Sequence, residues 1–273
     1  MSVDQLQRSH QPQQPIALTI AGSDSGGGAG MQADLKTFHA FGVYGTSAVT
    51  AITAQNTLGV HRIHTVPLQD VRAQIDVVVA DLRPQALKTG MLANADLVGE
   101  VADAIEVHAL GRYVMDPVMV STSGARLLDS DAEASLVTRL LPLATLITPN
   151  LHEASILVGE PVETVEHMRV AARRLVDLGA DAALITGGHL DGDAVDLLWD
   201  GDDERVWTRP RIDTVHTHGT GCTLSAATAA GLALGQSVQD SVAQAIRFVV
   251  RAIESAPGLG AGHGPLNHSV SPE

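Results

Sequence analysis

Two glycine-rich segments have the composition needed to bring backbone amides close to a ligand. The first, GSDSGGGAG at 22–30, contains Gly28-x-Gly30-x-x-Ala33, a loose match to the dinucleotide-binding fingerprint. That fingerprint also needs an acidic residue about 20 positions later, and residues 48–56 contain none, so we exclude nicotinamide binding. The glycines instead predict close approach of the backbone to a ligand, with a flexible loop as the alternative.

The second segment is Gly219-Thr220-Gly221-Cys222-Thr223, which precedes a helical pattern at 224–234. Glycines at a helix start expose N–H groups at its positive end and predict an anion site. No Lys completes a GxxxxGK pattern, so this is not a P-loop. At such a position we expect a lowered pKa for Cys222, whereas a small core residue is the alternative role for a single cysteine.

One carboxylate lies where an apolar side chain is expected. The helix predicted for Met31–Phe41 has an apolar stripe formed by Met31, Leu35, Phe38 and Phe41. Asp34 falls inside this stripe, and a buried carboxylate is costly unless it is hydrogen-bonded. Asp34 therefore either faces a polar ligand under the first glycine loop or accepts a hydrogen bond from a neighbouring backbone amide.

A third group consists of Asp116, Asn150 and Glu153, which follow two apolar runs. Carboxylates and amides of this kind bind Mg²⁺ through waters, together with the phosphates of a ligand. The alternative is a capping box, with Asn150 as the N-cap and Glu153 three residues later. The sequence leaves both possibilities open.

The histidines carry little information at this level. His216, His218 and His263 fall in predicted loops and lack the spacing of a zinc site, while His10 and His268 fall in predicted tails.

Short apolar runs bounded by glycine, proline, asparagine or aspartate alternate with helical patterns. The runs are Ile16–Ala21, Ala86–Thr89, Arg112–Asp116, Ala144–Thr148 and Ala182–Thr186. They are typical of buried parallel strands, and the helical patterns are clearest at Val165–Leu178, after Thr164 as N-cap, and at Val242–Ile253. Residues 194–208 predict a hairpin around the acidic turn 200–204. We expect one α/β domain with a mostly parallel sheet, and a ligand at the carboxyl ends of its strands.

Composition excludes several classes of protein. The chain has 273 residues, a net charge of −14, one cysteine and 3% aromatic residues. Nucleic acid and anionic membrane surfaces would be repelled, few aromatic rings are available to stack on bases, and no disulfide framework is possible. The sequence shows no apolar run of spanning length. We expect a cytoplasmic protein with a disordered head (1–14), one domain (15–268) and a short tail (269–273).

Taken together in order and spacing, the motifs resemble a known family. They are AGSDSGGGAGMQADLKT, TAQNTLGV, KTGML, DPVM…SG, TPNLHEA, GGH, HTHGTGCTLSAA and GHGP. From residue 16 to about 267, the chain resembles the hydroxymethylpyrimidine/phosphomethylpyrimidine kinases of thiamine biosynthesis, members of the ribokinase-like superfamily. This resemblance implies a central, mostly parallel sheet with helices on both faces.

The resemblance implies two phosphoryl transfers from ATP with Mg²⁺. The first is to the hydroxymethyl oxygen of 4-amino-5-hydroxymethyl-2-methylpyrimidine, and the second is to the resulting monophosphate. Substrate contacts are implied for Gln55, Asp34, Gly22, Ala29, Met91 and Val118. ATP contacts are implied for Asp116, Asn150, Glu153, Thr186 and Gly188, of which Asp116 and Glu153 would hold Mg²⁺ through water. Gly219, Thr220 and Gly221 would form an anion hole, and Cys222 would act as base.

The chain departs from the family at two positions. Many members carry Lys where this chain has Thr122 and Thr186, which removes positive charge near the nucleotide phosphates. Arg126 or Mg²⁺ would compensate.

Two alternatives remain: a pyridoxal kinase, which shares the Gly-Thr-Gly-Cys motif, and a catalytically silent pyrimidine sensor. TAQNT and KTGML favour the pyrimidine, and a homodimer is implied by the family alone.

Overall fold

A nine-stranded sheet forms the centre of the computed structural model, which describes residues 14–120, 124, 127–129, 131–188, 190 and 192–273. The strands are β1 (Ile16–Asp24), β2 (Tyr44–Asn56), β3 (Gly59–Thr65), β4 (Ala86–Thr89), β5 (Tyr113–Met115), β6 (Leu146–Ile147), β7 (Ala183–Gly187), β8 (Ala194–Trp199) and β9 (Glu204–Arg209). Their order is β3-β2-β1-β4-β5-β6-β7-β8-β9. Neighbouring strands from β2 to β7 are parallel, and antiparallel strands close both edges.

Helices cover both faces of the sheet, which confirms the predicted architecture. They are α1 (Gly30–Ala40), α2 (Leu68–Leu82), α3 (Ala95–Val107), α4 (Ala132–Ser135), α5 (Leu151–Val158), α6 (Val165–Asp177), α7 (Thr220–Ala233) and α8 (Val238–Glu254). After α4 the chain continues as a π-helical turn (Leu136–Leu140) and a 3-10 turn (Leu141–Leu143).

Alternation along the strands divides the core into two layers. In β1, Leu18 and Ile20 belong to a cluster that includes side chains of α2 to α6, whereas Ala17 faces a second cluster with side chains of α1, α7 and α8. Successive side chains of a strand point to opposite faces, so a central strand must be apolar throughout. This is why the central strands could be predicted from continuous apolar runs in the sequence.

The predicted elements agree closely with those observed. Ala86–Thr89 is β4, and the other four predicted runs contain or overlap β1, β5, β6 and β7. Thr164 caps α6 by accepting a hydrogen bond from the His167 amide (3.1 Å), and the hairpin at the edge is β8–β9. The hairpin β2–β3 at the opposite edge was not predicted from the sequence.

Residues near both described ends of the chain contact the rest of the domain. Most of the predicted head lies outside the described residues; Gln14 is described and donates to the Gly42 carbonyl (3.2 Å). The assignment of His268 to a tail was wrong, because its ring is buried and lies 3.0 Å from Thr223 Oγ1. Val270 packs against the second core layer. Among the described residues, no helix has the length and apolar character needed to cross a membrane.

Candidate active site

A cavity of about 900 Å³ opens at the carboxyl ends of the central strands. The strand order reverses at β1. From β1 the chain forms β2 and β3 on one side, and then returns to form β4 and the following strands on the other side. Parallel sheets bind ligands at such points because loops from both sides diverge there. All the predicted site residues except Asp34 line this cavity: Gly22, Ala29, Gln55, Met91, Val118, Asp116, Asn150, Glu153, Thr186, Gly188, Gly219, Thr220, Gly221 and Cys222.

The first glycine loop is organised by the carboxylate of Asp24. Its Oδ1 accepts from the Gly26 amide (2.8 Å), and its Oδ2 accepts from the amides of Gly28 (3.0 Å) and Ala29 (2.9 Å). Burial alone would raise the pKa of Asp24, but the hydrogen bonds from His218 and these amides lower it below its ordinary value. Asp24 is therefore an ionised acceptor that fixes the loop, which the sequence analysis did not assign.

The two glycine motifs contact each other directly. Gly219 has φ +85°, and a Cβ at this position would lie 1.9 Å from the Gly28 carbonyl oxygen. A side chain is therefore excluded by both conformation and space. Gly219 is the N-cap of α7 and has no side chain to cap it. The Thr220 amide donates to the Thr217 carbonyl (3.2 Å), whereas Gly221 and Cys222 are first-turn residues whose amides have no acceptor within the helix, and both residues line the cavity. The glycines thus serve packing between loops as well as access to a ligand.

Gln55 lies near the end of β2 and lines the same cavity. Its side-chain Nε2 lies 3.3 Å from His218 Nε2, and its Oε1 lies 3.1 Å from Thr53 Oγ1. His218 Nε2 also lies 2.9 Å from Asp24 Oδ2. A buried histidine from the segment before α7 therefore joins the glycine loop to the end of β2.

The side chain of Asp34 does not reach the cavity. It is 0% exposed, its Oδ2 accepts from Thr19 Oγ1 (2.6 Å), and its Oδ1 accepts from Lys88 Nζ (3.0 Å). The expectation that Asp34 faces a ligand is corrected by this arrangement: the carboxylate on the apolar stripe is compensated by a buried ammonium, which is itself part of the cavity wall. Burial nevertheless raises the pKa of Asp34, against the opposing effect of Lys88.

The prediction of a lowered pKa for Cys222 was wrong. Burial raises the pKa of this thiol to about 12. Lys88 and the Gly30 amide act in the opposite direction, while the carboxylates of Asp116 and Asp34 add to the increase. The helix start contributes a partial positive charge, but here desolvation and two nearby negative charges outweigh it. Cys222 is therefore a neutral thiol in this structure.

Asn150 and Glu153 form the capping box that the sequence left open. Asn150 Oδ1 accepts from the Glu153 amide (3.0 Å), and Glu153 Oε2 accepts from the Asn150 amide (3.0 Å). Burial and the charge of Asp116 raise the pKa of Glu153 to about 8. The same carboxylate thus begins α5 and lines the cavity, so capping and ligand binding are compatible.

Asp116 lies at the end of β5, between the two halves of the cavity. Its Oδ2 accepts from Ser225 Oγ (3.0 Å) and lies 3.5 Å from Lys88 Nζ. No group of three or more metal-ligating side chains occurs among the described residues. Two carboxylates, Asp116 and Glu153, still match the usual protein contribution to a Mg²⁺ site, in which water and phosphate supply the other oxygens.

Two arginines line the cavity near Thr186 and Gly188. Thr186 pairs with Asp196 across β7 and β8, and the Asp196 carboxylate binds Arg209 (2.6 Å). Arg211 donates to the carbonyls of Gly188, Leu190 and Gly192. The charge of Arg209 is offset by Asp196, whereas Arg211 holds the Gly188 carbonyl, two residues after Thr186, and lines the cavity. Thr122 and Arg126 lie outside the described residues.

Three functional candidates escaped the sequence analysis: Asp24, Lys88 and His218. Lys88 carried one usable signal, because it is one of only two lysines and lies inside an apolar run. Asp24 and His218 are separated by 194 positions, and only the fold brings them together.

Comparison with known proteins agrees with this geometry. The family model described as phosphomethylpyrimidine kinase matches residues 24–267. The hydroxymethylpyrimidine/phosphomethylpyrimidine kinase of Bacillus subtilis (strain 168) is 50% identical over 254 residues, which are 92% of this chain and 94% of that one.

Two solved structures show the same fold. An ADP complex of Bacillus subtilis pyridoxal kinase has a TM-score of 0.87 and 41% identity, over 94% of this chain and 98% of that chain. Staphylococcus aureus pyridoxal kinase in complex with AMP-PCP and pyridoxal has a TM-score of 0.86 and 35% identity, over 94% of each chain. Because family model, sequence identity and fold agree over nearly the whole length, the chain belongs to the hydroxymethylpyrimidine/phosphomethylpyrimidine kinase family, with a ribokinase-like fold.

Proposed function

We propose that this protein transfers a phosphoryl group from ATP to 4-amino-5-hydroxymethyl-2-methylpyrimidine, and then a second one to the resulting monophosphate. The observation that carries this proposal is the shared cavity of Gln55 and the Gly219–Cys222 helix start. One wall offers a side-chain amide able to pair with a polar ring edge, and another offers backbone amides able to hold a phosphoryl group.

The α7 start is the part of the site that stabilises negative charge. Phosphoryl transfer depends mainly on positioning and on stabilising charge on the transferred group. The first-turn amides of Gly221 and Cys222 have no acceptor within α7, and both residues line the cavity, so they are preorganised donors. The ammonium of Lys88 also lines the cavity, at the level of Asp116.

Asp116 and Glu153 are the residues that would hold Mg²⁺. The donor set fits, because both groups are buried carboxylates and Mg²⁺ prefers oxygen ligands. When bound, the ion would neutralise charge on the nucleotide phosphates. Arg211 supports the assignment of the neighbouring wall to those phosphates, since it lines the cavity and holds the Gly188 carbonyl, two residues after Thr186, where the family lysine is absent.

Cys222 is assigned as the base that accepts the proton of the substrate hydroxyl. Its position in the first turn of α7 supports this role, since it stands beside the amides that would hold the transferred group. Because its thiol is neutral in this structure, the active form is the minor thiolate population, which increases with pH.

A pyridoxal kinase is the second candidate, because the two solved structures compared above are pyridoxal kinases. Incubation with ATP, Mg²⁺ and either hydroxymethylpyrimidine or pyridoxal, with ADP release measured and products identified, tests both. We expect mono- and then diphosphorylated pyrimidine, at higher kcat/KM than for pyridoxal. A preference for pyridoxal would select the second candidate, and binding without ADP release would indicate a sensor.

We extend the proposal to a homodimer in the cytoplasm. Apolar side chains on the edge hairpin support the dimer: Tyr44 and Ile52 on β2 and Leu58 in the turn are 52%, 53% and 64% exposed. Dependence on ATP and a single cysteine are compatible with the cytoplasm. Sedimentation of wild type and Ile52→Lys tests the dimer: we expect a shift to monomer in the variant, and a monomeric wild type would contradict it.

A further inference from the structure

His218 occupies a position that the proposed reaction leaves without a role. It is buried, lines the cavity, and directly precedes the anion-hole residue Gly219. Its Nε2 lies 2.9 Å from Asp24 Oδ2 and 3.3 Å from the side-chain nitrogen of Gln55. The histidine ring thus stands between the carboxylate that organises the glycine loop and the amide that faces the substrate half of the cavity.

The hydrogen-bond partners of His218 Nε2 determine whether this nitrogen carries a hydrogen. An ionised carboxylate has only acceptor atoms, and the low pKa of Asp24 keeps it ionised. The atom 2.9 Å from it must therefore carry a hydrogen, so His218 Nε2 is a donor. A side-chain NH₂ group of Gln55 facing the same nitrogen at 3.3 Å would place two donors against each other. His218 Nε2 carries one hydrogen, which points mainly at Asp24, so a group of Gln55 at 3.3 Å can share it only as the weaker acceptor of a three-centre bond. The end of Gln55 that can accept is its carbonyl oxygen.

The hydrogen bonds of Thr53 favour the same orientation of the Gln55 amide. The Thr53 hydroxyl has one hydrogen, which it donates to the Ser23 carbonyl (2.8 Å). Toward the Gln55 side chain, 3.1 Å away, the hydroxyl can then only accept. The group that satisfies it is the NH₂ of Gln55. The two ends of a glutamine amide exchange by a half-turn within the same volume, so both contacts are met by one orientation.

We propose that His218, held by Asp24, is a positioning residue that fixes the Gln55 amide with its oxygen toward His218 and its NH₂ toward Thr53. The remaining lone pair and the second N–H then face the cavity in a fixed order. A ligand must offer a donor on the His218 side and an acceptor on the Thr53 side. An exocyclic amino group beside a ring nitrogen meets this requirement, whereas pyridoxal presents an aldehyde oxygen beside a phenol that ionises readily and then can only accept. His218 thereby favours aminopyrimidines over pyridoxal.

The inference rests on the proposed function, and its test separates the two. Steady-state kinetics with hydroxymethylpyrimidine, pyridoxal and ATP are measured for wild type, His218→Ala, His218→Gln, Gln55→Ala and the double variant His218→Ala/Gln55→Ala. Loss of one fixed hydrogen bond predicts a roughly tenfold higher KM for hydroxymethylpyrimidine in His218→Ala, with the KM for ATP unchanged. The ratio of kcat/KM for the pyrimidine over pyridoxal should fall by a similar factor.

The remaining variants distinguish positioning from a structural role. His218→Gln keeps an N–H donor at the same reach and should restore the pyrimidine KM to within about threefold of wild type. In the Gln55→Ala background, His218→Ala should have no further effect, because the residue it positions is gone. An equal effect in both backgrounds, or an equal rise in the KM for ATP, would overturn the inference.

A second measurement keeps the test decisive if His218→Ala does not fold. Thr53→Val leaves His218 and Asp24 in place but removes the acceptor for the Gln55 NH₂, and should also raise the pyrimidine KM several-fold. An unchanged KM would contradict the assigned orientation. Active wild type with unaffected variants overturns this inference alone. A wild type that neither binds nor phosphorylates the pyrimidine overturns the proposed function as well.

Discussion

Lys88 balances two buried carboxylates beneath the cavity. Its side chain is 0% exposed, with Nζ 3.0 Å from Asp34 and 3.5 Å from Asp116. Lys88→Met would leave both carboxylates without their cation, at a cost of about 3–5 kcal/mol. At about 2–4 °C per kcal/mol for domains of 150–250 residues, we expect Tm to fall by on the order of 10 °C. Differential scanning fluorimetry measures this.

The chain offers a matched control in its other lysine. Lys36 is exposed and donates to the Gly27 carbonyl (2.7 Å), so Lys36→Met should change Tm little. The double variant Lys88→Met/Asp34→Asn should recover part of the lost stability, because the amide keeps an acceptor for Thr19 without an uncompensated charge. Equal losses for the two lysine variants would contradict the role of Lys88.

The high pKa of Cys222 makes a specific prediction about pH dependence. If the thiolate is the base and the pKa of the thiol is about 12, its population rises tenfold per pH unit across the assayable range. Wild-type kcat should therefore keep rising from pH 6 to 9 without a plateau. In Cys222→Ser the slope should disappear, with kcat about 100-fold lower at pH 8. A plateau near neutral pH would show that the bound substrates lower the pKa, and identical profiles would show that Cys222 only packs.

Single residues show where sequence reasoning ends. Helical periodicity identified Asp34 as an anomaly, but its partner Lys88 lies 54 positions away and is brought to it by the pairing of β1 with β4. The direction of the pKa shift of Cys222 was predicted wrongly for a similar reason. A helix start is visible in sequence, whereas the surrounding carboxylates and the degree of burial depend on the complete fold.

The contact between the two glycine motifs can be tested at the level of whole loops. Gly219→Ala would place a Cβ 1.9 Å from the Gly28 carbonyl oxygen at a residue with φ +85°. The strained conformation alone costs about 1–3 kcal/mol, and the clash must in addition separate the loops. We expect a lower midpoint in urea unfolding. Gly221→Ala is the matched control, since its Cβ meets nothing within 4 Å and alanine favours the helix by about 1 kcal/mol. Equal midpoints for the two variants would contradict this account.

Whether an element could be predicted depended on its place in the sheet. The central strands are buried on both faces and appear as apolar runs, and β8–β9 is marked by its acidic turn. The hairpin β2–β3 gave no comparable signal. Strand β2 (YGTSAVTAITAQN) is rich in alanine and threonine, and β3 (GVHRIHT) is largely exposed at the edge. Their position became visible only through pairing, although Gln55, the residue of greatest functional interest, lies on this hairpin.

In the whole molecule, the sheet topology brings together site residues that are far apart in the sequence. The five predicted strand ends were expected to share one mouth because parallel strands end at the same edge. Residues following each of them line the cavity, namely Gly22, Gly90, Asp116, Asn150 and Gly188. The rule could not predict the segments that cross from elsewhere. His218 enters from the segment before α7, and residues 262–265 pack against Thr57 and His218 from the C-terminal side.

The buried His268, near the C-terminus, predicts that the free energy of unfolding decreases in acid. Burial, with a contribution from the charge of Lys36, lowers the pKa of His268 to about 4. The folded protein therefore holds this ring neutral, while the unfolded chain protonates it at about pH 6.5. Between pH 6.5 and 4 the unfolded state binds more protons, so stability falls as the pH decreases through this window. The maximal loss from this group is roughly 3 kcal/mol.

Urea unfolding of wild type and His268→Gln at several pH values measures this contribution. Glutamine does not titrate and can still accept from Thr223, so the variant should lose less stability than wild type between pH 6.5 and 4. His263→Gln removes an exposed histidine from the same segment and serves as the control. If wild type and His268→Gln lose stability in parallel, His268 is not the group responsible. A smaller loss in the variant would identify His268, which is docked against Thr223 of α7, as the group through which acid destabilises the protein.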